Sequence, residues 1–425
     1  MKLIWDILAT AVFALAAGAL VLRWLAASGA RLPRFSTPLP QRKGERPDRQ
    51  TLWMVFALAL LFRFAMAVVS LLVYRVSSGE GVGLAQLPDL WVRWDAQHYV
   101  KLVELGYDGY RENGQPLFLV FFPLYVWLTR AVHLVVGSTA AAGMLVSFLC
   151  YGGGCVFLYR LAAEEYGQKT AVRAVLLLSA FPFSFFFGGI MTESLFFLTT
   201  TAALYYIRRH RWWLAGIWGA LAAVSRMQGL ILIGAAAAEL FNAERPFALR
   251  GAELRRSLGK MAKKIPALLL PLAGTLSYFL LNVSVTGSPT AFTKMQEHWS
   301  QGFLWFPDVL SYLAKNAFSW EDVGTRWDMW IPEFVLFFLC AGVLWAAWKR
   351  HRSMFTLYGS VYFILNYCLS WLLSAGRYLS CNVPLFLFAA DAGEDRPRMT
   401  AAVCLGSLVL QVVFISRYLM WGQVM

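Results

Sequence analysis

Long apolar stretches alternate with short charged segments along almost the whole chain. Several stretches reach the roughly 20 residues that a helix needs to cross about 30 Å of hydrocarbon. The pattern therefore predicts an all-α polytopic membrane protein with about twelve transmembrane helices. The stretches that each predict one crossing are residues 3–27, 52–74, 140–159, 171–187, 195–207, 265–282, 332–348 and 399–418.

Two further regions must each hold two crossings, because basic runs flank both of them. Residues 212–241 provide about thirty residues for two passes, and at 1.5 Å per residue this requires two short helices. Polar residues at 225–229 predict the turn between these helices. In residues 353–395 the same argument places the turn at residues 374–378.

The distribution of charge orients the predicted helices. Lysine and arginine concentrate in short runs between apolar stretches, and the positive-inside rule places these runs on the cytoplasmic side. Residues 1–51 then form an extra N-terminal span and a basic cytoplasmic linker, whereas residues 76–117 and 284–330 form two extracytoplasmic loops. The net charge of +14 reflects this topology and contact with anionic lipid, so we expect no nucleic-acid partner.

Residues 117–136 are apolar but contain Pro123, Arg130 and His133. A full crossing here would invert the orientation of every later basic run. We therefore expect a re-entrant or interfacial element.

The composition agrees with a single integral membrane domain over residues 1–425. Hydrophobic residues make up 59% and charged residues 15% of the chain, and the mean hydropathy is +0.56. These values exclude an ordinary soluble domain. The six cysteines lie mostly inside apolar stretches and lack the spacing of metal ligands, so no metal site is expected.

The first extracytoplasmic loop contains the motif RWDAQHY at residues 93–99. Residues 88–106 begin with a proline and end with a glycine, which predicts a short amphipathic helix at the membrane surface. Asp95 would then lie at the mouth of a cavity, where a catalytic base for a lipid-borne substrate is expected. The residues predicted to share one face of this helix are Trp91, Trp94, Asp95 and His98.

Other polar side chains are predicted at the same external ends of helices. A carboxylate opposed by two arginines suits transfer from a lipid phosphate, because the carboxylate deprotonates the acceptor hydroxyl while the guanidiniums hold the departing phosphate. The residues predicted to bind substrate are Arg93, Trp94, His98, Glu193, Arg226, Gln228, Arg377 and Tyr378.

Each of these residues also has a purely structural interpretation. Asp95 can be a surface acid beside an interfacial tryptophan, and Glu193 can cap the helix that begins there. Arg226 and Arg377 can extend to lipid headgroups. For Arg63, inside an apolar span, a structural partner is favoured over a substrate.

The second extracytoplasmic loop repeats the Trp-Asp pair at Trp327 and Asp328 and contains several further tryptophans. This composition is typical of an interfacial amphipathic element. The functional alternative is a cover over the cavity that binds the acceptor.

Four motifs, in this order, resemble the PIG-V family of mannosyltransferases, the second mannosyltransferase of GPI-anchor assembly and its bacterial relatives. The Arg377-Tyr378 pair fits the same pattern. The motifs are RWDAQHY at 93–99, closed by GY, then FFPLY at 121–125, TESLFF at 192–197 and SRMQG at 225–229.

This resemblance implies the GT-C glycosyltransferase architecture, a polyprenyl-phosphate sugar donor and inversion at the anomeric carbon. By position, Asp95 matches the catalytic acid of the first loop. The extra N-terminal span and Gln228, which replaces a more usual asparagine, depart from the family pattern. The composition suggests a bacterial cell-membrane protein, for which the acceptor is open between a cell-wall glycan, a glycolipid and a protein hydroxyl.

We therefore expect an inverting mannosyltransferase that acts on the extracytoplasmic face and uses no cofactor besides its lipid-linked donor. A weakly bound divalent ion remains an alternative. From other functional classes, the alternatives are a lipid or glycolipid transporter or flippase and a non-catalytic scaffold.

Overall fold

A computed structural model describes residues 2–36, 44 and 46–424 of the protein. Regular structure in this part of the chain is helical, apart from two isolated β-bridges. Part of the predicted basic linker, including Arg42 and Lys43, lies outside the described residues.

The α-helices, in chain order, are α1 (Lys2–Ala27), α2 (Arg49–Ser78), α3 (Leu87–Leu90), α4 (Asp95–Gly109), α5 (Pro123–Val136), α6 (Thr139–Tyr166), α7 (Gln168–Ala180), α8 (Glu193–Arg208), α9 (Trp212–Ser225), α10 (Ile231–Glu244), α11 (Gly251–Ala262), α12 (Ile265–Leu268), α13 (Leu270–Thr286), α14 (Ala291–His298), α15 (Phe306–Ser319), α16 (Val323–Thr325), α17 (Ile331–Ala347), α18 (Ser353–Asn366), α19 (Ala375–Ser380), α20 (Val383–Ala392) and α21 (Pro397–Leu419). The 3-10 helices are Pro33–Phe35, Leu84–Gln86, Leu117–Val120, Ser184–Gly188, Met227–Leu230 and Pro246–Ala248, and a π-helical turn spans Arg326–Trp330.

Within the described residues, five helical segments are long and apolar enough to cross a membrane, and a sixth is added if the bent pair α13 and α14 counts as one span. The chain is therefore a multi-pass integral membrane protein. The count of about twelve crossings stays a prediction, because the remaining apolar helices are shorter or broken. The five segments are Lys2–Ala27, Arg49–Ser78, Thr139–Tyr166, Val323–Ala347 and Pro397–Leu419.

Both predicted helix breaks are confirmed. α9 ends at Ser225 and α10 begins at Ile231, with a 3-10 turn between them. An irregular stretch at residues 367–374 and the short α19 likewise separate α18 from α20, but most of the turn predicted at residues 374–378 is helical, since α19 begins at Ala375. α6 continues to Tyr166, and Gly167, at φ +105°, turns the chain directly into α7.

Residues 117–136 form a short 3-10 helix followed by the 14-residue α5. At 1.5 Å per residue α5 is about 21 Å long, which is less than the hydrocarbon thickness. This length agrees with the predicted re-entrant or interfacial element, whose depth in the membrane stays a prediction.

Glycines set how closely α9 packs against its neighbours. A Cβ atom on Gly216 would collide with the Ala267 carbonyl oxygen, and one on Gly274 would collide with the Ala220 carbonyl oxygen. Small residues allow such close backbone approach between membrane helices. The packing of α9 on α12 and α13 therefore fixes the position of the break at residues 226–230.

Arg63 of α2 stabilises the irregular segment between α7 and α8. The residue is 1% exposed, and its guanidinium donates to the Ser184 carbonyl and lies 3.4 Å from the Ser179 carbonyl oxygen. It also stacks 4.2 Å from the Tyr151 ring centroid. Since α7 ends nearby at Ala180, the cation meets the Ser179 carbonyl in the last turn of that helix, where carbonyl groups have no partner within the helix. Arg63 thus has structural partners.

Replacing Arg63 with Met should destabilise the protein by roughly 2–4 kcal/mol, because it leaves buried carbonyl groups without their charged donor. Thermal unfolding in detergent measures this effect. Arg75→Met is the matched control, since Arg75 lies on the same helix and is exposed. Equal unfolding temperatures for the two variants would contradict the role of Arg63.

The far end of α8 carries a cluster of ion pairs. The cluster joins α6, α8 and α10 to the residue before α18. Because α8 is 16 residues long, the cluster lies about 22 Å from Glu193 at the start of that helix. The ion pairs are Arg208–Glu165 at 2.6 Å, Arg209–Glu164 at 2.8 Å and Arg352–Glu239 at 2.9 Å, and His210 Nε2 lies within hydrogen-bond distance of Glu239 Oε1, at 3.1 Å.

Candidate active site

The chain around Asp95 does not form the single helix predicted for residues 88–106. α3 ends at Leu90 and α4 begins at Asp95, and Trp94 between them has φ +51° and ψ −128°. Such a backbone is strained for a tryptophan and persists because its surroundings hold it. The predicted shared face is therefore wrong: the Trp91 indole donates to Ser70 Oγ at 3.0 Å and packs in the core.

Arg377 joins Asp95 to Glu193. Its Nη1 lies 2.6 Å from Asp95 Oδ2, and its Nε donates to Glu193 Oε1. Arg226 Nη2 donates to the same Glu193 oxygen, and Arg226 Nε donates to Thr192 Oγ1 at 2.9 Å. Two carboxylates and two guanidiniums, from four separate parts of the sequence, thus form one continuous network, which we call the Asp95 network.

Breaks in the helices position the members of this network. Asp95 is the first residue of α4 and Glu193 is the first residue of α8, so both carboxylates lie at helix N-termini, where free N–H groups favour negative charge. Arg226 follows the end of α9 with extended backbone, and Arg377 lies in the short α19. The network therefore assembles where four helices begin or end.

Burial differs sharply among the four charged side chains. The Asp95 side chain is 25% exposed, whereas that of Glu193 is 0%, Arg377 4% and Arg226 9% exposed. Glu193 therefore has no surface for a substrate and instead offsets the charges of both arginines. A molecule approaching from outside meets Asp95 first, although the predicted cavity in front of it stays a prediction.

Two polar atoms in the network have unused hydrogen-bonding capacity. Arg226 Nη1 and Glu193 Oε2 are buried and have no hydrogen-bond partner among the described residues. Tyr378 stacks 5.4 Å from the Arg226 guanidinium carbon, and Gln228 is half-buried in the turn that follows Arg226. In the described part of the chain, no group of three or more His, Cys, Asp or Glu residues could hold a metal ion.

His98 lies on α4 one turn after Asp95, in an aromatic cluster rather than in the Asp95 network. Its ring stacks 4.6 Å from Phe118 and lies 5.7 Å from Trp299. Nδ1 of His98 is 2.9 Å from Tyr110 Oη. The structure thus gives His98 packing partners and brings Trp299, from the second predicted loop, against the first loop.

Burial among these rings lowers the pKa of His98 from its ordinary value of 6.5. The unfolded chain then binds a proton at a pH where the folded protein keeps His98 neutral, so stability decreases as the pH falls through 6.5 toward the lowered pKa. When the pH is lowered from about 7.5 to about 5.5, the unfolding temperature should fall less for His98→Gln than for the wild type. His298→Gln, at an exposed position, should match the wild type; identical behaviour of both variants would refute the explanation.

Residues 417–421, at the end of α21, hold the strained segment before Asp95, and we call them the C-terminal clamp. Arg93 Nε donates to the Leu419 carbonyl at 3.2 Å, and the Arg93 guanidinium stacks 5.0 Å from the Trp421 ring centroid. Tyr418 Oη donates to the Arg93 carbonyl at 3.0 Å. Arg93 therefore faces the clamp and not the Asp95 network.

The same clamp contacts both Trp-Asp pairs. Trp94 packs against Trp421 with ring centroids 5.8 Å apart, and Arg417 Nε lies 2.6 Å from Asp328 Oδ2. Trp327 is 65% exposed. Residues 417–421 carry no recognisable motif, so sequence reasoning missed this connection.

Thr192 and Phe186 are the other contacts of the network that were not predicted. Thr192 Oγ1 accepts from Arg226, and the Phe186 ring centroid lies 5.5 Å from the Arg377 guanidinium carbon. Thr192 begins the TESLFF motif, so that motif already contained the signal. Phe186 lies in a run of aromatic residues that does not distinguish it from core residues.

A family model described as dolichyl-phosphate-mannose-protein mannosyltransferase matches residues 116–285. The match covers less than half of the chain. It includes Glu193 and Arg226 but begins after Asp95 and ends before Arg377. No curated protein is significantly similar in sequence to this chain.

The solved structure of ArnT from Cupriavidus metallidurans bound to undecaprenyl phosphate is similar, with a TM-score of 0.51 and 18% sequence identity. The similarity covers 83% of this chain and 63% of ArnT, so this chain spans less than two thirds of the length of ArnT. An oligosaccharyltransferase from Archaeoglobus fulgidus, solved with Zn and sulfate, gives a TM-score of 0.43 and 14% identity over 85% of this chain and 53% of its own. The likeness to ArnT confirms the predicted GT-C fold.

Proposed function

We propose that this protein is an inverting glycosyltransferase that transfers mannose from a polyprenyl-phosphate-mannose donor to an acceptor hydroxyl. The observation that carries this proposal is the accessible Asp95 carboxylate, which lies 2.6 Å from the buried guanidinium of Arg377. The buried carboxylate of Glu193 holds that guanidinium in place. The matched family model and the likeness to ArnT, solved with a polyprenyl phosphate, support a lipid-phosphate donor.

In the proposed reaction Asp95 takes the proton from the acceptor hydroxyl. The acceptor oxygen forms a bond to the anomeric carbon, and the bond from that carbon to the phosphate oxygen breaks on the opposite side. The electron pair of this bond leaves with the polyprenyl phosphate. Asp95 later releases its proton to water, so the products are an inverted glycoside and a polyprenyl phosphate.

Arg377 connects the two halves of this reaction. Its guanidinium neutralises Asp95, and a donor phosphate would compete with Asp95 for the same guanidinium. During transfer the phosphate gains negative charge while Asp95 loses its charge to the incoming proton. The guanidinium of Arg377 is then available to stabilise the departing phosphate, as transition-state stabilisation requires.

Glu193 acts as a positioning residue in this scheme. It contacts both Arg377 and Arg226 from a fully buried site. Its charge keeps two neighbouring guanidiniums from repelling each other before the phosphate arrives. Arg226 and Tyr378 then extend the phosphate site, whereas Arg93 and Trp94 position Asp95 through the C-terminal clamp.

The charge pattern supports a site on the extracytoplasmic face, and a bacterial cell membrane is the proposed location. The resemblance to the PIG-V family supports mannose as the sugar. A cell-wall glycan, a glycolipid and a protein hydroxyl are the candidate acceptors.

Purified protein incubated with polyprenyl-phosphate mannose and total membrane lipids tests the proposal. We expect release of polyprenyl phosphate and, by mass spectrometry, a lipid heavier by one hexose. Polyprenyl-phosphate glucose serves as the matched donor and should give little product. The flippase alternative predicts instead that intact donor crosses the bilayer of a reconstituted vesicle without release of polyprenyl phosphate.

A further inference from the structure

The α11 helix is strongly basic and lies at the protein surface. Its exposed cations outnumber its one exposed acid, Glu253, and none of these cations forms an ion pair with a described residue. Lys264, just after the helix, pairs with Glu244 at 2.6 Å and so fixes the end of α11 to the end of α10. The exposed cations of this region are Arg250, Arg255, Arg256, Lys260 and Lys263.

Helical spacing separates α11 into distinct faces. Ser257 and Met261, four residues apart, are buried and face the protein. Leu258 lies on one flank of this buried face and is 48% exposed, whereas Arg256 and Lys260 lie on the opposite flank. A surface helix with an exposed apolar flank and an exposed basic flank matches the pattern of helices that lie in a membrane interface.

Two further apolar side chains are exposed in the segments next to α11. Phe247 in the turn before the helix and Ile265 after it are both 48% exposed. In water such exposed apolar side chains would favour aggregation, but they are stabilised at the boundary of headgroups and acyl chains.

We propose that α11 lies flat in the membrane interface and binds the headgroups of anionic phospholipids. Leu258 enters the acyl boundary, and Arg255, Arg256, Lys260 and Lys263 contact lipid phosphates. Charge complementarity selects this occupant, because closely spaced cations at a membrane surface attract anionic lipid. α11 packs against the end of α10 at Glu244, about 20 Å along that helix from its start beside the turn that carries Arg226, so this inference does not depend on the proposed function.

A fluorescent probe on α11 tests the inference. Gly259 is exposed, and a Cβ atom there would meet no atom within 4 Å, so Gly259→Cys introduces an attachment site without a clash. The change is made in a Cys404→Ser background, because Cys404 is partly exposed while the other five cysteines are buried. The labelled protein is reconstituted into nanodiscs of neutral lipid that contain equal small fractions of headgroup spin-labelled phosphatidylglycerol or phosphatidylcholine.

We expect spin-labelled phosphatidylglycerol to quench the probe at least about twofold more than spin-labelled phosphatidylcholine, and high salt should remove the difference. The variant with Arg255, Arg256, Lys260 and Lys263 changed to Gln should also lose it, whereas Glu253→Gln should keep it. Equal quenching by the two lipids in the wild-type sequence at low salt would overturn the inference, as would a probe that neither lipid quenches.

Discussion

Asp95→Asn is expected to reduce sugar transfer by at least about 10²–10⁴-fold, because asparagine cannot accept the proton of the acceptor hydroxyl. The amide is close in size to the carboxylate and still offers an oxygen to Arg377. Folding and donor binding should therefore change little. Transfer is measured as hexose added to the acceptor, and donor binding as retention of polyprenyl phosphate by the purified protein.

Asp108→Asn is the matched control for this experiment. Asp108 lies on the same helix, α4, but is exposed and outside the Asp95 network. It should retain wild-type transfer. Turnover by Asp95→Asn comparable to that of Asp108→Asn would remove Asp95 from the catalytic role.

Glu193→Gln is expected to lower the free energy of unfolding by about 3–5 kcal/mol, which is the usual effect of removing one partner from a buried ion pair. The side chain is 0% exposed and contacts two guanidiniums. Its loss leaves Arg226 and Arg377 side by side with less compensating charge. Thermal or chemical unfolding in detergent measures the change.

Two further variants separate charge from packing at this position. Glu253→Gln, at an exposed position of α11, should leave stability near that of the wild type. Adding Arg226→Gln to Glu193→Gln should recover part of the lost stability, since it removes one of the uncompensated cations. If Glu193→Gln is as stable as the wild type, Glu193 does not hold the network together.

The helical class and the main breaks of the fold follow from the hydrophobic pattern. The break between α9 and α10 was predictable because thirty apolar residues with basic runs at both ends leave room for two short helices and one polar turn. The break between Leu90 and Asp95 was not predictable, since Pro88 and the spacing of the aromatic residues fit one continuous helix. Tertiary contacts of Trp91 with Ser70 and of Arg93 with the C-terminal clamp override that local preference.

The charged members of the candidate site could be selected from the sequence, but their connections could not. Polar residues at helix ends in an apolar chain identified Asp95, Glu193, Arg226 and Arg377. That Glu193 lies between both arginines depends on how helix ends meet in three dimensions, which neither spacing nor charge specifies. The C-terminal clamp was missed for the same reason.

A structure determined with polyprenyl phosphate bound tests the central claim most directly, because the account requires the lipid phosphate and Asp95 to share Arg377. The account predicts phosphate oxygens within hydrogen-bond distance of the Arg377 guanidinium and an Asp95 carboxylate released to face the position of the sugar. A phosphate bound elsewhere, with the contact between Asp95 and Arg377 unchanged, would contradict it.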